Sequence, residues 1–378
     1  MDMLPNTQRH SSHQQPKRLN IMNSNQHLSN ASFLKKFADT HATPSAKPFC
    51  WVLGSGASHS SGAPMGRELT RQWLQEMYDH KVKGHGQKPT LEEWANEEFK
   101  HTIPGFQYTS ATNYYPSIFH QRYKSNPSVG LEFLERTLEN ASPSFGYKIL
   151  AQIMASTTHK VAVTTNYDDL IASAITLYTD KVPFVSGYEL LADYVIRTLR
   201  RPLVAKIHRP FLLSPLNNPD EITQLSDDWK GPLTEIFNDY TPILIGFGDV
   251  GGSGGTLMRF LQNLPPIKGG FFWCYREKQH GSLPAKEIQS VVQHHNGQVV
   301  PILGFDELMF QLWDVLKLTT AQNQLHEQFS KLVREYNEGF LQLAKQIIAL
   351  EGQPMSETVA AVVTSAKAAL ARLEQDSF

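Results

Sequence analysis

From residue 48 onward, short apolar runs alternate with longer stretches whose apolar residues recur every three or four positions. The runs "FCWVLG", "KVAVTT", "VPFVS", "PLVAKIH", "PILIGF", "GGFFWCY" and "GQVVPIL" are too short for helices and rich in Val, Ile, Leu and Phe. Such runs predict strands buried on both faces. Between them, "NYDDLIASAITLY", "ELLADYVIRTL", "TLMRFLQNL" and "FDELMFQLWDVL" carry helical spacing. Strands alternating with helices predict an α/β fold, a Rossmann-like parallel sheet with helices on both faces. In such sheets ligands bind in the crevice beyond the carboxyl ends of the strands.

Two regions break the alternation. After a helix expected over about Arg67–Tyr78, residues from about 80 to 145 show little strand character, and "LEEWANEEF", "YPSIFHQRY" and "SVGLEFLERTLEN" read as helices of an insertion. Another helix, ending near Ala155, returns the chain to the sheet. Near the end of the sequence, Leu325, Phe329, Leu332, Tyr336, Phe340, Leu343, Ile347 and Leu350 recur at helical steps, and an Ala/Val-rich helix follows near Glu357–Leu373. Residues 319–378 are therefore expected to form a helical hairpin packed on the domain, with an oligomerisation arm as the alternative. Residues 1–47 open on a polar, Gln/Asn/Ser-rich stretch and are expected to be mobile, leaving 48–318 as the main domain.

Composition narrows the function classes. A formal charge of −1 over 378 residues gives no electrostatic case for nucleic acid. The two cysteines, Cys50 and Cys274, lie in apolar strand-like runs, which excludes a disulfide framework or a Cys-rich zinc site and suits a reducing compartment. No apolar run approaches the roughly 18 residues of a membrane span, and the first residues lack the apolar core of a secretion signal. A cytoplasmic protein without membrane contact is expected.

Candidate chemistry gathers after four of the strands. "LGSGASHSSGAPMG", residues 53–66, packs Gly54, Gly56 and small neighbours between a strand and a helix, where exposed backbone N–H groups suit phosphate. It lacks the third glycine of the dinucleotide fingerprint and the P-loop lysine, so it is equally a tight connection. "VAVTTNYDDLI" places Thr164, Thr165, Asn166 and Asp168 after a strand. One such residue suffices to cap the next helix, and the surplus points to a ligand. "VAKIHRP" puts His208 at a strand's end, where a histidine is either structural or catalytic. "ILIGFGDVGGSGG" repeats the strand-to-glycine-loop pattern with Gly246, Phe247, Gly248 and Asp249, the loop's one charge. Two phosphate-permissive loops in one sheet fit a dinucleotide.

In this order the four stretches resemble the sirtuin superfamily, whose members consume NAD+. "GSGASHSSGAP" is similar to the family's Gly-Ala-Gly-Ile-Ser loop and following Gly-Ile-Pro, "TTNYDDL" to Thr-Gln-Asn-Ile-Asp-x-Leu, "KIHRP" to Leu-His-Gly, and "LIGFGDV" stands where the family has a Gly-Thr-Ser loop. The resemblance spans roughly residues 48–316. It implies that Ala57, Ser58 and Pro64 line an NAD+ site, that Asn166 and Asp168 meet nicotinamide and its ribose, that His208 is the catalytic histidine, and that Gly246, Phe247 and Gly248 lie by the adenine-side ribose and phosphates.

The departures shape the expected activity. Two lone cysteines cannot supply the zinc ribbon of the deacylases, so no zinc is expected. Met65, Gly66 and Arg67 stand where the family has Asp-Phe-Arg, removing the aromatic cover over the ribose, and Arg209 replaces the glycine after the histidine. The pattern looks more like the sirtuin-like NADases of bacterial antiphage defence. The expected reaction is hydrolysis of the nicotinamide–ribose bond, with Asn166 positioning ribose or water and His208 as base. A homo-oligomer or a separate partner such as a HerA-type ATPase is expected to gate it. The alternatives are a non-catalytic NAD+ or ADP-ribose sensor, a protein ADP-ribosyltransferase or deacylase, and an inert structural subunit.

Overall fold

The computed structural model describes residues 26–83, 88–186, 200–207, 227–248, 252–277, 282–318, 322–349, 351 and 357–376. Seven strands, β1 (Phe49–Leu53), β2 (Val161–Thr164), β3 (Phe184–Ser186), β4 (Leu203–Lys206), β5 (Thr241–Ile245), β6 (Phe272–Arg276) and β7 (Gln298–Ile302), form one sheet. Every pairing is parallel and the order is β3-β4-β2-β1-β5-β6-β7. This is the α/β, Rossmann-like sheet that the apolar runs predict.

The pleat sends alternate residues to opposite faces. Phe49, Trp51 and Leu53 face one core cluster, Cys50 and Val52 the other. The first face is covered by helices α1 (Asn30–His41), α6 (Phe145–Ser156), α7 (Leu170–Tyr178) and α11 (Phe305–Val315). The second is covered by α8 (Asp227–Asp239), α9 (Gly252–Asn263) and α10 (Lys286–His294). Burial on both faces explains why the strands read as continuous apolar runs. It also pushes the Cys50 and Cys274 thiols up, since a thiolate would be stranded without solvent.

Residues 26–47 depart from the mobile segment expected of 1–47. Ser29 caps α1, and Phe33 and Phe37 are fully buried, Phe33 edge-on to Phe272 and Phe37 stacked on Phe49. Just before the helix, His27 bridges to Val299 and Leu28 N–H donates to the Val299 carbonyl, covering the exposed side of β7. The two phenylalanines sit one turn apart in an otherwise polar stretch. Each contributes about 2–3 kcal/mol of burial that average polarity conceals.

The insertion has its own core, built from α2 (Gly66–Val82), α3 (Leu91–Phe99), α4 (Tyr115–Tyr123) and α5 (Pro127–Glu139). Trp73 is its centre, ringed by Tyr115, Phe119, Tyr123 and Phe133. This core begins at Leu69 rather than near residue 80, because α2 turns Leu69, Trp73 and Leu74 toward the insertion. The short helical turn Tyr108–Tyr114 packs against α9, so the insertion reaches across to the far glycine loop's helix. At the other end of the chain, α12 (Gln322–Ile348) and α13 (Glu357–Asp376) pack on each other as a hairpin. Among the described residues no helix is long and apolar enough to cross a membrane.

Candidate functional site

The sheet's register sets the site. Leu53, Thr164, Ile245 and Lys206 form its last paired row, Leu53 opposite both Ile245 and Thr164, and Thr164 opposite Lys206. One residue further, Gly54 N–H donates to the Ile245 carbonyl, Thr165 N–H to that of Leu53 and Ile207 N–H to that of Thr164. Chain order reverses at β1, which pairs with β2 on one side and β5 on the other. A ligand crevice is expected beyond this switch.

The two glycine loops meet there and interlock. Gly56 N–H donates to the Gly246 carbonyl at 3.0 Å, and Ala57 N–H to that of Gly54 at 2.9 Å. A Cβ on Gly246 would lie 2.5 Å from the Ala57 nitrogen and 2.6 Å from the Gly54 oxygen, and its φ is +87°. A Cβ on Gly54 would meet the Gly246 oxygen and the Phe247 ring at 2.8 Å. These three glycines are thus required by loop-on-loop packing. Gly248 is exposed, with none of the described residues within 4 Å of where a Cβ would sit, whereas the Phe247 side chain is buried against Trp273. Pro64 is half-buried shortly before α2. His208 and Asp249 lie outside the described residues.

Beside the interlocked loops stands a buried polar cluster. Ser58, in the turn after β1, is 1% exposed and donates to Asp168 Oδ2 at 2.7 Å. Its oxygen lies 2.9 Å from Tyr147 OH on α6 and 2.9 Å from Asn166 Nδ2. Asn166 Nδ2 also donates to the Gly54 carbonyl at 3.2 Å. The Thr164 hydroxyl donates to the Leu53 carbonyl and accepts from Asn166 N–H, holding the chain extended after β2. The helix expected to start at "NYDDL" therefore begins only at Leu170, and residues 165–169 form a connection that presents side chains.

Asp168 Oδ1 accepts from the N–H of Leu170, the first residue of α7, at 3.3 Å, while the N-cap residue itself, Asp169, makes no side-chain capping bond. Asn166 takes no part in the cap. Its Oδ1, and the hydroxyl of Thr165, are buried and have no partner among the described residues. Burial pushes the Asp168 carboxyl above the usual range, against the lowering effect of Ser58, the Leu170 N–H and Lys206. Burial likewise raises the Tyr147 and Tyr167 phenols, which stay protonated.

Two members of this neighbourhood escape sequence reasoning. Tyr147 lies in the first turn of α6, in "FGYKILAQIM", with nothing to distinguish it from a packing residue. Lys206 does carry a signal, as the lone charge in a buried strand. Its ammonium donates to Asp169 Oδ1 at 2.7 Å and to the Tyr167 carbonyl at 2.9 Å, tying the connection 165–169 to β4. The described histidines also divide. His159 and His295 are fully buried and use Nδ1 to accept backbone N–H groups, from Phe49 and Ile267 respectively, which is a structural role.

The chain matches no protein-family model, and no curated protein resembles it significantly.

Proposed function

We propose that the protein is a sirtuin-like NAD+ glycohydrolase that cleaves the nicotinamide–ribose bond, releasing nicotinamide and ADP-ribose. One observation carries this: Thr165 and Asn166, 1% and 6% exposed, hold unpartnered polar atoms at the carboxyl end of β2, beside two interlocked glycine loops at the switch point. An unmade hydrogen bond in such a place costs about 1–3 kcal/mol, which a ligand's hydroxyl offsets. Ribose hydroxyls and water are donors of that kind. The four stretches that carry the sirtuin resemblance supply these residues, and they alone among features of the chain favour NAD+ over another dinucleotide.

In the proposed reaction a water oxygen bonds to ribose C1′ while the C1′–nitrogen bond breaks. The bonding pair passes into the pyridinium ring, so nicotinamide leaves neutral and needs no general acid. The transition state carries positive charge on the ribose, as in other glycoside cleavage. Asn166 Oδ1 orients a ribose hydroxyl or the water, and Asp168 adds a negative field beside the developing charge. His208, which follows Ile207, is the proposed base that takes the water's proton. An NAD+-depleting effector of antiphage defence, gated by self-association or a separate ATPase, is the biological setting this proposal implies.

The test is NAD+ consumption by purified protein, with product analysis. Nicotinamide and ADP-ribose should appear in equal amounts, and Asn166→Ala should lower the rate about 100-fold or more. Binding without turnover would replace hydrolysis by a sensor. Consumption only with an added protein acceptor would indicate a transferase or deacylase.

A further inference from the structure

With the Asp168 carboxyl ionised, the donors and acceptors of the buried cluster admit a single arrangement. Asp168 accepts through both oxygens, from Ser58 and from the Leu170 N–H. A serine has one proton, and that of Ser58 is committed to Asp168 at 2.7 Å. Its oxygen can then only accept, so Asn166 Nδ2 and Tyr147 OH, each at 2.9 Å, must both donate to it. The second Nδ2 hydrogen goes to the Gly54 carbonyl, which is also only an acceptor. A flipped amide would set Oδ1 against two oxygens with no proton to offer. Asn166 is therefore locked with Oδ1 turned away from Ser58 and the Gly54 carbonyl, buried and without a partner among the described residues.

We propose that Tyr147 is a positioning residue that, through Ser58, holds the Asn166 amide with Oδ1 turned toward the substrate. It rests on the NAD+ hydrolysis proposed above, and it names the substrate group at this point as a hydrogen-bond donor, a hydroxyl or water, rather than a phosphate. Tyr147 fills the second lone pair of Ser58. Without it, that lone pair becomes a rival acceptor 2.9 Å from Nδ2, and a substrate hydroxyl or water bonded there is misplaced. Tyr147 is 1% exposed and packs on Phe305, so its ring is fixed from behind by the core.

The experiment is a double-mutant cycle on kcat and KM for NAD+, with Tyr147→Phe, Asn166→Ala and the pair, plus the side-chain amide NMR signals of Asn166. Tyr147→Phe should lower kcat about tenfold with KM within about twofold, and change the Asn166→Ala enzyme by less than about twofold. Its unfolding midpoint should stay close to wild type, and the Asn166 amide protons should shift and exchange faster. Equal losses in both Asn166 backgrounds, or unmoved amide signals, would overturn the assignment. If Tyr147→Phe fails to fold, Ser58→Ala removes the same relay without touching the ring and should lower kcat at least as much while freeing the amide. If wild type neither binds nor cleaves NAD+, the hydrolase proposal falls, and the amide signals alone then decide for or against the positioning role.

Discussion

The two ends of the sheet treat buried polar groups in opposite ways. At the amino end, His159 accepts the Phe49 N–H through Nδ1, and its carbonyl accepts from Trp51 Nε1. His295 accepts from Ile267 N–H and reaches the Leu261 carbonyl through Nε2. There, side chains seal loose backbone. At the carboxyl end, Ser58, Asn166, Asp168 and Tyr147 bond chiefly to one another and leave the buried Oδ1 of Asn166 without a partner among the described residues. His159 also has an unpartnered nitrogen, Nε2, but it sits among the rings of Phe37, Phe49 and His41 rather than in a polar cluster. An orphaned atom in an aromatic wall speaks of packing. Two in a row beside glycine loops are the atoms that the proposed ligand would satisfy.

Substitutions ranked by their effect on stability sharpen the contrast. Gly246→Ala should cost most, about 4 kcal/mol, because a Cβ there meets backbone at 2.5 Å in a conformation with φ of +87°. Urea unfolding would measure it, and a loss below about 1 kcal/mol would mean the two loops are not interlocked.

Next comes pH. Burial holds His159 at about 4 against an ordinary 6.5, and the nearby His41 lowers it further in the same direction. Above pH 6.5 the ring is neutral in both folded and unfolded chains. Between 6.5 and 4 the unfolded chain takes up a proton that the folded one refuses, so stability falls with pH, by about 3 kcal/mol in all. His295, also lowered by burial, adds to the same slope. His159→Gln should flatten the curve across that window; an unchanged slope would exclude His159 as its source.

Asn166→Ala should cost about 1–3 kcal/mol, because it takes the Nδ2 donor from the buried Ser58 oxygen and Gly54 carbonyl, while its Oδ1 has no partner among the described residues to lose. A loss beyond that range would move Asn166 to the structural side of the comparison. Smallest of all, Gly248→Ala, with none of the described residues within 4 Å of the added carbon, should stay within about 0.5 kcal/mol.

What could be read from the sequence was whatever a local pattern encodes. Most strands announce themselves because burial on both faces demands unbroken apolar runs, whereas the edge strand β3 leaves Val185 exposed, and the helices of the insertion follow their own spacing. Helix α8 was hidden by Gly231 and Pro232, which locally argue against a helix. Helix α1 was hidden because only Phe33 and Phe37 carry it. Strand order, and with it the meeting of Gly54 with Gly246, is set by pairings between distant segments that no window contains. For the site, "TTNYDD" signalled more polar groups than a cap needs, and the structure bonds Asp168 to the first N–H of α7 and gives Thr165 and Asn166 buried polar atoms without a partner among the described residues. Tyr147 left no trace, since a buried tyrosine looks the same whether its hydroxyl serves packing or a network.

The packing of α1 has a temporal side. Its Phe33 rests on Phe272, and the segment before it lies along β7, so its apolar face leaves the ribosome roughly 240 residues before its partner, about 10–50 s at ordinary synthesis rates. The central strand β1 likewise waits for β5, nearly the length of the intervening chain. A half-made protein therefore carries an open sheet edge and an unsheltered helix face together. Its yield in the cell should depend on translation speed and on chaperones that shield nascent chains far more than its finished stability would suggest.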